Sequence, residues 1–214
     1  GLTDLQGRST PRKEAVMRLA DVLVREPEIS KAVPLTPVAA ILFDKKNQDF
    51  TKAYTIGFHG MIGAPDSIYL DAVRGLYRTL WEHDIPAVFV TPKDLEEGKA
   101  DAIPLLFMTT QVVMDPVLSG SLLHYCEKGG KLIADGKLAE VDPEGLLHFQ
   151  IPGQGLSEKL GFELMDMKEG DLTMFLSNGS KLSGGHDRRG IRIFDSETQV
   201  LGRYSDGEPA IVSA

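Results

Sequence analysis

The chain is poor in the residues that build covalent or metal-held frameworks. Its 214 residues include one cysteine, Cys126, and one tryptophan, Trp81. A single thiol excludes an internal disulfide framework and any multi-cysteine zinc site, and cytoplasmic residence is the default reading. No apolar run approaches the roughly 20 residues that span a bilayer. Positive charge is scarce too: 23 Lys and Arg against 31 Asp and Glu leave a formal net charge of −8. The basic face that a phosphate backbone requires is therefore missing. The sequence opens Gly1-Leu2-Thr3-Asp4, without the basic start and apolar block of a signal peptide. Neither a nucleic-acid nor a membrane partner is expected.

What is present is ordinary for a globular protein, with 42% hydrophobic and 25% charged residues. Tyr69/Leu70, Val73, Leu76/Tyr77 and Leu80/Trp81 recur at helical spacing, which predicts an amphipathic helix over 66–83. Trp81 lies in that stripe and is read as core in preference to a subunit-contact anchor. Pro86 stops the helix at His83-Asp84, and Ile85 to Val90 follows as a short buried strand.

Two segments are expected along the chain. In residues 1–37, a turn over 4–7 precedes a helix from Arg12 to about Arg25, capped by Ser9 or Thr10 with Pro11 in its first turn. Val16, Leu19, Ala20 and Leu23 share one side of it, and Pro27, Pro34 and Pro37 make an extended connector. Residues 38–214 then alternate strand and helix. Val38 to Phe43 is a buried strand, Asp44 to Gly63 a long polar loop, Pro92 to Glu97 a helical turn and Pro104 to Met108 a third strand. Asp115 caps a helix with Pro116 at its first position, Gly129-Gly130 ends it, and Lys131 to Ala134 is a fourth strand. Helices between strands imply a parallel sheet covered on both faces. A short helix over 156–160 and strands around 162–167, 172–176, 191–194, 199–204 and 210–212 complete the chain.

Tests for local chemistry come out empty. The five histidines His59, His83, His124, His148 and His186 are not at metal-ligand spacing, so no metal site is expected. His186-Asp187-Arg188-Arg189 reads as a solvated hairpin loop, and the pairs Glu96-Glu97 and Lys45-Lys46 as solvated surface. Gly153-Gln154-Gly155 follows the fourth strand rather than the first and has Glu158 where a dinucleotide loop needs a third glycine. No cofactor is expected.

Several phrases carry a resemblance. Leu80-Trp81-Glu82 with Ile85-Pro86, the Asp44 and Asn47 pair, Tyr125 with Gly129-Gly130-Lys131-Leu132-Ile133 and Asp142, Pro152-Gly153, Leu160-Gly161-Phe162, and Gly207-Glu208-Pro209-Ala210 resemble the second domain of family 42 glycoside hydrolases. These are β-galactosidases whose catalytic barrel is followed by a trimerisation domain. The opening Gly-Leu-Thr-Asp resembles the exit from such a barrel, which makes Gly1 an expected excision point and the end after Ala214 a cut inside a longer protein. The resemblance implies a self-associating, non-catalytic domain, a trimer by family pattern, with its own barrel upstream as partner. Both glycosidase carboxylates, about 5 Å apart in a retaining enzyme, belong by that resemblance to barrel strands that this chain does not contain. The family loop after the first strand is usually rich in tryptophan and lies near the neighbouring barrel and subunit. Here it reads Asp44-Lys45-Lys46-Asn47-Gln48-Asp49-Phe50.

The domain also resembles the class I glutamine amidotransferase fold, a flavodoxin-like α/β sheet, here with additional C-terminal strands. That fold places a nucleophilic thiol on a strand-to-helix elbow and activates it with a distant His-x-Glu. This chain has Asp135-Gly136 at the elbow and His148-Phe149-Gln150 in place of His-x-Glu. Cys126 lies on a helix and is read as core filler. No catalytic residue is therefore assigned. The alternative reading is a small-molecule or carbohydrate binding domain. Ligands of such sheets sit beyond the carboxyl ends of the strands, near Asp44, Thr91, Thr109-Thr110 and Asp135-Gly136. A weaker option is a hydrolase using Asp135 or Asp44 with a histidine. Asp44, Asn47, Trp81, Thr109 and Asp135 are the candidate ligand or interface positions.

Overall fold

Prolines and capping side chains set the first unit of the chain. The computed structural model describes residues 2–59, 68–168, 170–184 and 188–214. It divides into two units, Gly1–Thr36 and Pro37–Ala214. In the first, Asp4 organises a turn by accepting from the amides of Gln6 and Arg8, both at 2.9 Å. Helix α1 (Pro11–Arg25) starts where Thr10 accepts from the Lys13 amide and Pro11 occupies the first turn. After α2 (Pro27–Lys31) the chain is extended. Val16, Leu19 and Leu23 are all exposed, and neither helix buries a residue.

The second unit is built on a parallel sheet in the order β2-β1-β3-β4. Its strands are β1 (Ala39–Leu42), β2 (Ala87–Val90), β3 (Leu105–Met108) and β4 (Lys131–Ala134). All three pairings are parallel, with Ala39 opposite Ala87 and Leu105, and Leu105 opposite Lys131. The central strand β1 is apolar throughout because it is buried on both sides. Alternate residues face opposite layers. Ala39 and Ile41 pack with Tyr69, Val73 and Leu80 of α4 (Ile68–Glu82). Ala40, Leu42, Leu106 and Met108 pack with Leu118, Leu122 and Tyr125 of α6 (Pro116–Glu127).

Local signals placed most of these elements. Asp115 accepts from the Leu118 amide at 2.8 Å with Pro116 behind it. Thr91 and Asp94 form a capping box on α5 (Pro92–Glu96). Past α4, Asp84 takes a left-handed conformation, and the Ile85 amide donates back to the Leu80 carbonyl.

Three expectations on this unit are corrected. The segment read as a polar loop from Asp44 contains helix α3 (Lys45–His59). Among the positions of this helix whose burial is described, Asn47 and Thr51 are buried, so its first turns point polar side chains inward. Gly60 to Gly63, and the expected start of α4 at Asp66, lie outside the described residues. Strand β2 is not buried: it is an edge strand on which Val88 and Phe89 remain exposed. Trp81 is not core; it is 69% exposed, because α4 turns its Tyr69–Val73–Leu80 side to the sheet.

Beyond β4 no helix follows until α7 (Leu156–Leu160), which sits between left-handed Gly155 and Gly161 as its flanking glycines predict. Strand β5 (Phe162–Lys168) pairs antiparallel with β8 (Arg188–Ile193). A second antiparallel sheet has the order β10-β9-β6-β7, from β6 (Met174–Leu176), β7 (Lys181–Leu182), β9 (Gln199–Tyr204) and β10 (Pro209–Ser213). The short β7 has no counterpart in the sequence reading.

The expected loop His186 to Arg189 is also corrected. Arg188 and Arg189 belong to β8, while His186 and Asp187 lie outside the described residues. Arg188 is buried, stacks 4.7 Å from the Tyr204 ring centroid, and donates to Asp206 and, at 2.8 Å, to Glu208. It ties the two-stranded sheet to the four-stranded one.

Candidate functional site

The carboxyl ends of β1, β3 and β4 meet in one corner, where a parallel sheet offers a ligand site. Here it is lined by polar side chains, of which Asp44, Asn47, Thr110 and Gln111 are buried. Asp44 is two residues past β1, and its amide donates to the Tyr69 hydroxyl at 2.7 Å. That hydroxyl donates in turn to the Leu42 carbonyl at 3.2 Å. Burial pushes the Tyr69 phenol up to about 12, which keeps the donor proton in place. The Asp44 carboxylate accepts from the Lys46 amide and, at 2.9 Å, from Gln111 Nε2. The same Gln111 nitrogen donates to the Val113 carbonyl at 2.8 Å.

Asn47, fully buried on the first turn of α3, bridges the same loop. Its Nδ2 donates to the Thr110 carbonyl at 2.8 Å, and its Oδ1 accepts from the Val112 and Val113 amides at 2.9 and 3.0 Å. Asp135, just past β4, accepts from the Thr110 amide at 2.7 Å and from the Lys137 amide at 3.0 Å. These bonds hold Thr110 at a φ of 49°, a left-handed geometry unusual for a β-branched residue. The Thr109 hydroxyl is buried close by without a hydrogen-bond partner. Gln111 and the Tyr69 hydroxyl were missed by the sequence reading. Its place three residues past the end of β3, in the run Thr109-Thr110-Gln111, was the available signal for Gln111.

The structure thus brings Asp44, Asn47, Thr109 and Asp135 together and leaves Trp81 apart on α4. All four carboxylate oxygens of Asp44 and Asp135 accept hydrogen bonds from the protein. Each of these oxygens is engaged by the fold through at least one bond, and the Asp44 carboxylate is buried as well. Among the described side chains no histidine bonds to either carboxylate, and among the described residues no cluster of three or more His, Cys, Asp or Glu could hold a metal. Cys126 packs against the core below β4, and burial pushes its thiol up, away from thiolate reactivity. The Gly153 position is occupied by contact with the His148 ring, which a Cβ there would meet at 2.0 Å.

Burial also raises the Asp135 carboxyl above the usual Asp value, against the opposing bonds from Lys137 and Thr110. Asp206 is held low by its hydrogen bond to Arg188. The two have opposite pH signs. The Asp135 contribution is fully present below an unfolded value of about 3.9 and is lost as pH rises through the higher folded value. That of Asp206 is present above the unfolded value and is lost as pH falls through the lower folded one. Carboxyl-carbon NMR titration is expected to find Asp135 titrating above Asp206; the reverse order contradicts these placements.

The family model described as the β-galactosidase trimerisation domain matches residues 38–214. No curated protein matches the sequence. Among solved structures, Gan42B, a GH42 β-galactosidase from G. stearothermophilus, is 20% identical with a TM-score of 0.69, over 99% of this chain and 30% of that one. The cold-adapted β-galactosidase of Rahnella sp. R3 is 19% identical, with a TM-score of 0.69 over 99% of this chain and 32% of its own. That of Marinomonas ef1 is 16% identical, with a TM-score of 0.67 over 100% and 32%. At such identities the likeness establishes the fold, a four-stranded parallel sheet between helices with antiparallel strands after it. The chain spans about a third of the length of these proteins. With most of its length under the family model, this chain belongs to the β-galactosidase trimerisation domain family.

Proposed function

We propose that the chain is the self-association domain of a β-galactosidase-like glycoside hydrolase, and that it contributes contact surface and no catalytic group. In this reading residues 1–37 are a barrel-exit helix and linker, residues 38–214 are the associating domain, and the partners are the parent's own barrel and two further copies. The observation that carries it is the match of residues 38–214 to the β-galactosidase trimerisation domain, and at the strand-end corner both candidate carboxylates serve as hydrogen-bond acceptors for backbone and amide groups. A retaining glycosidase needs two carboxylates about 5 Å apart across an open substrate site. A net charge of −8 fits a protein that does not bind nucleic acid. Among the described residues no helix is long and apolar enough to cross a membrane, and we place the domain in the cytoplasm.

The test is an aryl β-galactoside assay with the purified chain at high concentration, alongside Asp135→Ala. No turnover is expected from either. Turnover by the chain that is lost in the Asp135 variant overturns the scaffold reading and revives a hydrolytic corner.

A further inference from the structure

The chain between β4 and α7 builds a hollow of about 220 Å³, separate from the strand-end corner. Phe149, Gln150, Gln154 and Glu158 line it together with the His148 ring, which packs against Gly153 where a Cβ would stand. The polar walls are fixed from behind. Gln150 Nε2 donates to Glu163 at 3.4 Å, and Glu163 is itself held by Arg192 at 2.7 Å. Gln154 Nε2 donates to the Met114 carbonyl at 3.3 Å, and the Gln154 carbonyl accepts from the Ser119 hydroxyl at 3.0 Å. These bonds hold Gln154 at a φ of 57°, a left-handed geometry uncommon outside glycine, asparagine and aspartate. Backbone strain of this kind persists where the surroundings over-determine it, and it clusters at ligand sites.

The groups left free set the chemistry of a ligand. Each glutamine commits its nitrogen to the protein, so each keeps its oxygen as an acceptor. Among the described residues neither oxygen has a protein partner, and the exposed Glu158 carboxylate has none either. The hollow therefore offers acceptors. No Lys or Arg lines it, and Glu158 would repel an anion. An apolar ligand would leave the acceptors dry at a cost. A neutral ligand carrying several hydroxyl donors satisfies them. Phe149 adds the second requirement, because its ring is completely exposed and offers an aromatic face to polarised C–H groups. The volume falls below the roughly 300–1,000 Å³ of drug-sized sites, which suits a single ring.

We propose that this hollow binds one neutral pyranose ring, whose hydroxyls donate to Gln150, Gln154 and Glu158 while its C–H face lies on Phe149. Such a site is independent of self-association, and either can fail without the other.

The experiment is an NMR titration of the isotope-labelled 214-residue chain with methyl β-D-glucopyranoside and methyl β-D-galactopyranoside. Saturable shifts are expected at the side-chain amide signals of Gln150 and Gln154 with at least one of the two sugars. Sorbitol, which has the hydroxyls without the ring face, should bind severalfold more weakly, and inorganic phosphate should leave these signals unmoved. Phe149→Ala and Glu158→Ala alter exposed side chains, so circular dichroism should match that of the unaltered chain. Each should weaken sugar binding about tenfold, the scale of one aromatic contact or one charged hydrogen bond. Shifts confined to other residues, or none at the highest sugar concentration reached, overturn the proposal. So do unaltered affinity in either variant, equal binding of sorbitol, and saturable phosphate shifts at the two glutamines.

Discussion

Replacing Asn47 with alanine is expected to lower the unfolding free energy by about 2–3 kcal/mol, the scale of one buried amide left without a partner together with the weakening of two further bonds. The side chain is completely buried and serves three backbone groups, the Thr110 carbonyl and the Val112 and Val113 amides. The Val112 amide and the Thr110 carbonyl keep a bond to each other at 3.1 Å, so the Val113 amide is the group that loses most once the side chain is gone. Urea denaturation measures the effect, and a loss under about 1 kcal/mol, the scale of a single exposed hydrogen bond, contradicts a bridging role. Asn47→Asp gives a second check with its own sign. The carboxylate keeps the acceptor for the two amides but loses the donor to Thr110 and places a charge beside Asp44. Protonation restores a donor. The folded-state value is then raised, so the variant's deficit should shrink as pH falls and grow as pH rises through that value.

The second large effect is expected at Gly130. A Cβ there would lie 2.3 Å from Cζ of the Tyr125 ring. The ring has nowhere to retreat, since Tyr125 is buried and its hydroxyl donates to the Ile103 carbonyl at 2.7 Å. Gly130→Ala should cost about 3 kcal/mol through overpacking. Gly129→Ala, with open space around its Cβ but a φ of +94°, should cost about 1 kcal/mol from backbone strain alone. A double-mutant cycle with Tyr125→Leu separates the two causes. Most of the Gly130 cost should vanish in the leucine background, and the Gly129 cost should persist. Equal costs at the two glycines in both backgrounds contradict the ring contact.

These glycines illustrate what the sequence made legible. Gly129-Gly130 marked a helix end correctly, because that signal is local: a left-handed residue must follow the last turn. That Gly130 also makes room for an aromatic ring was not readable, since no local pattern reports a close approach in space. The same division runs through the fold. The ends of α6 and α7 followed from Asp115-Pro116 and from Gly155 and Gly161. Helix α3 was hidden because its first turns carry buried Asn47 and Thr51, polar positions that do not fit the apolar periodicity by which most helices are found. Trp81 sat in an apolar stripe wider than the face α4 buries, and the sequence could not tell which edge of the stripe stays open. The edge position of β2 came from strand order, which is a non-local property.

The strand-end corner was legible in place and not in role. Asp44 and Asp135 were located by their positions just past strands. Their partners Gln111 and Thr110 lie 67 and 25 residues away in the chain, and only folding brings them together. The same carboxylates that would suit acid–base chemistry in an open site here pair with backbone and side-chain donors, and so the fold uses them as cross-links. Arg188 is the parallel case in the C-terminal strands. Its four-residue polar cluster looked like solvated loop, yet the guanidinium is buried between Tyr204, Asp206 and Glu208.

Contact between copies, proposed above as the role of this chain, is read from its mass in solution. Sedimentation equilibrium of the purified chain over a wide concentration range is expected to approach three times the 23.4 kDa monomer mass. A species that stays at 23.4 kDa at the highest concentration reached contradicts the account.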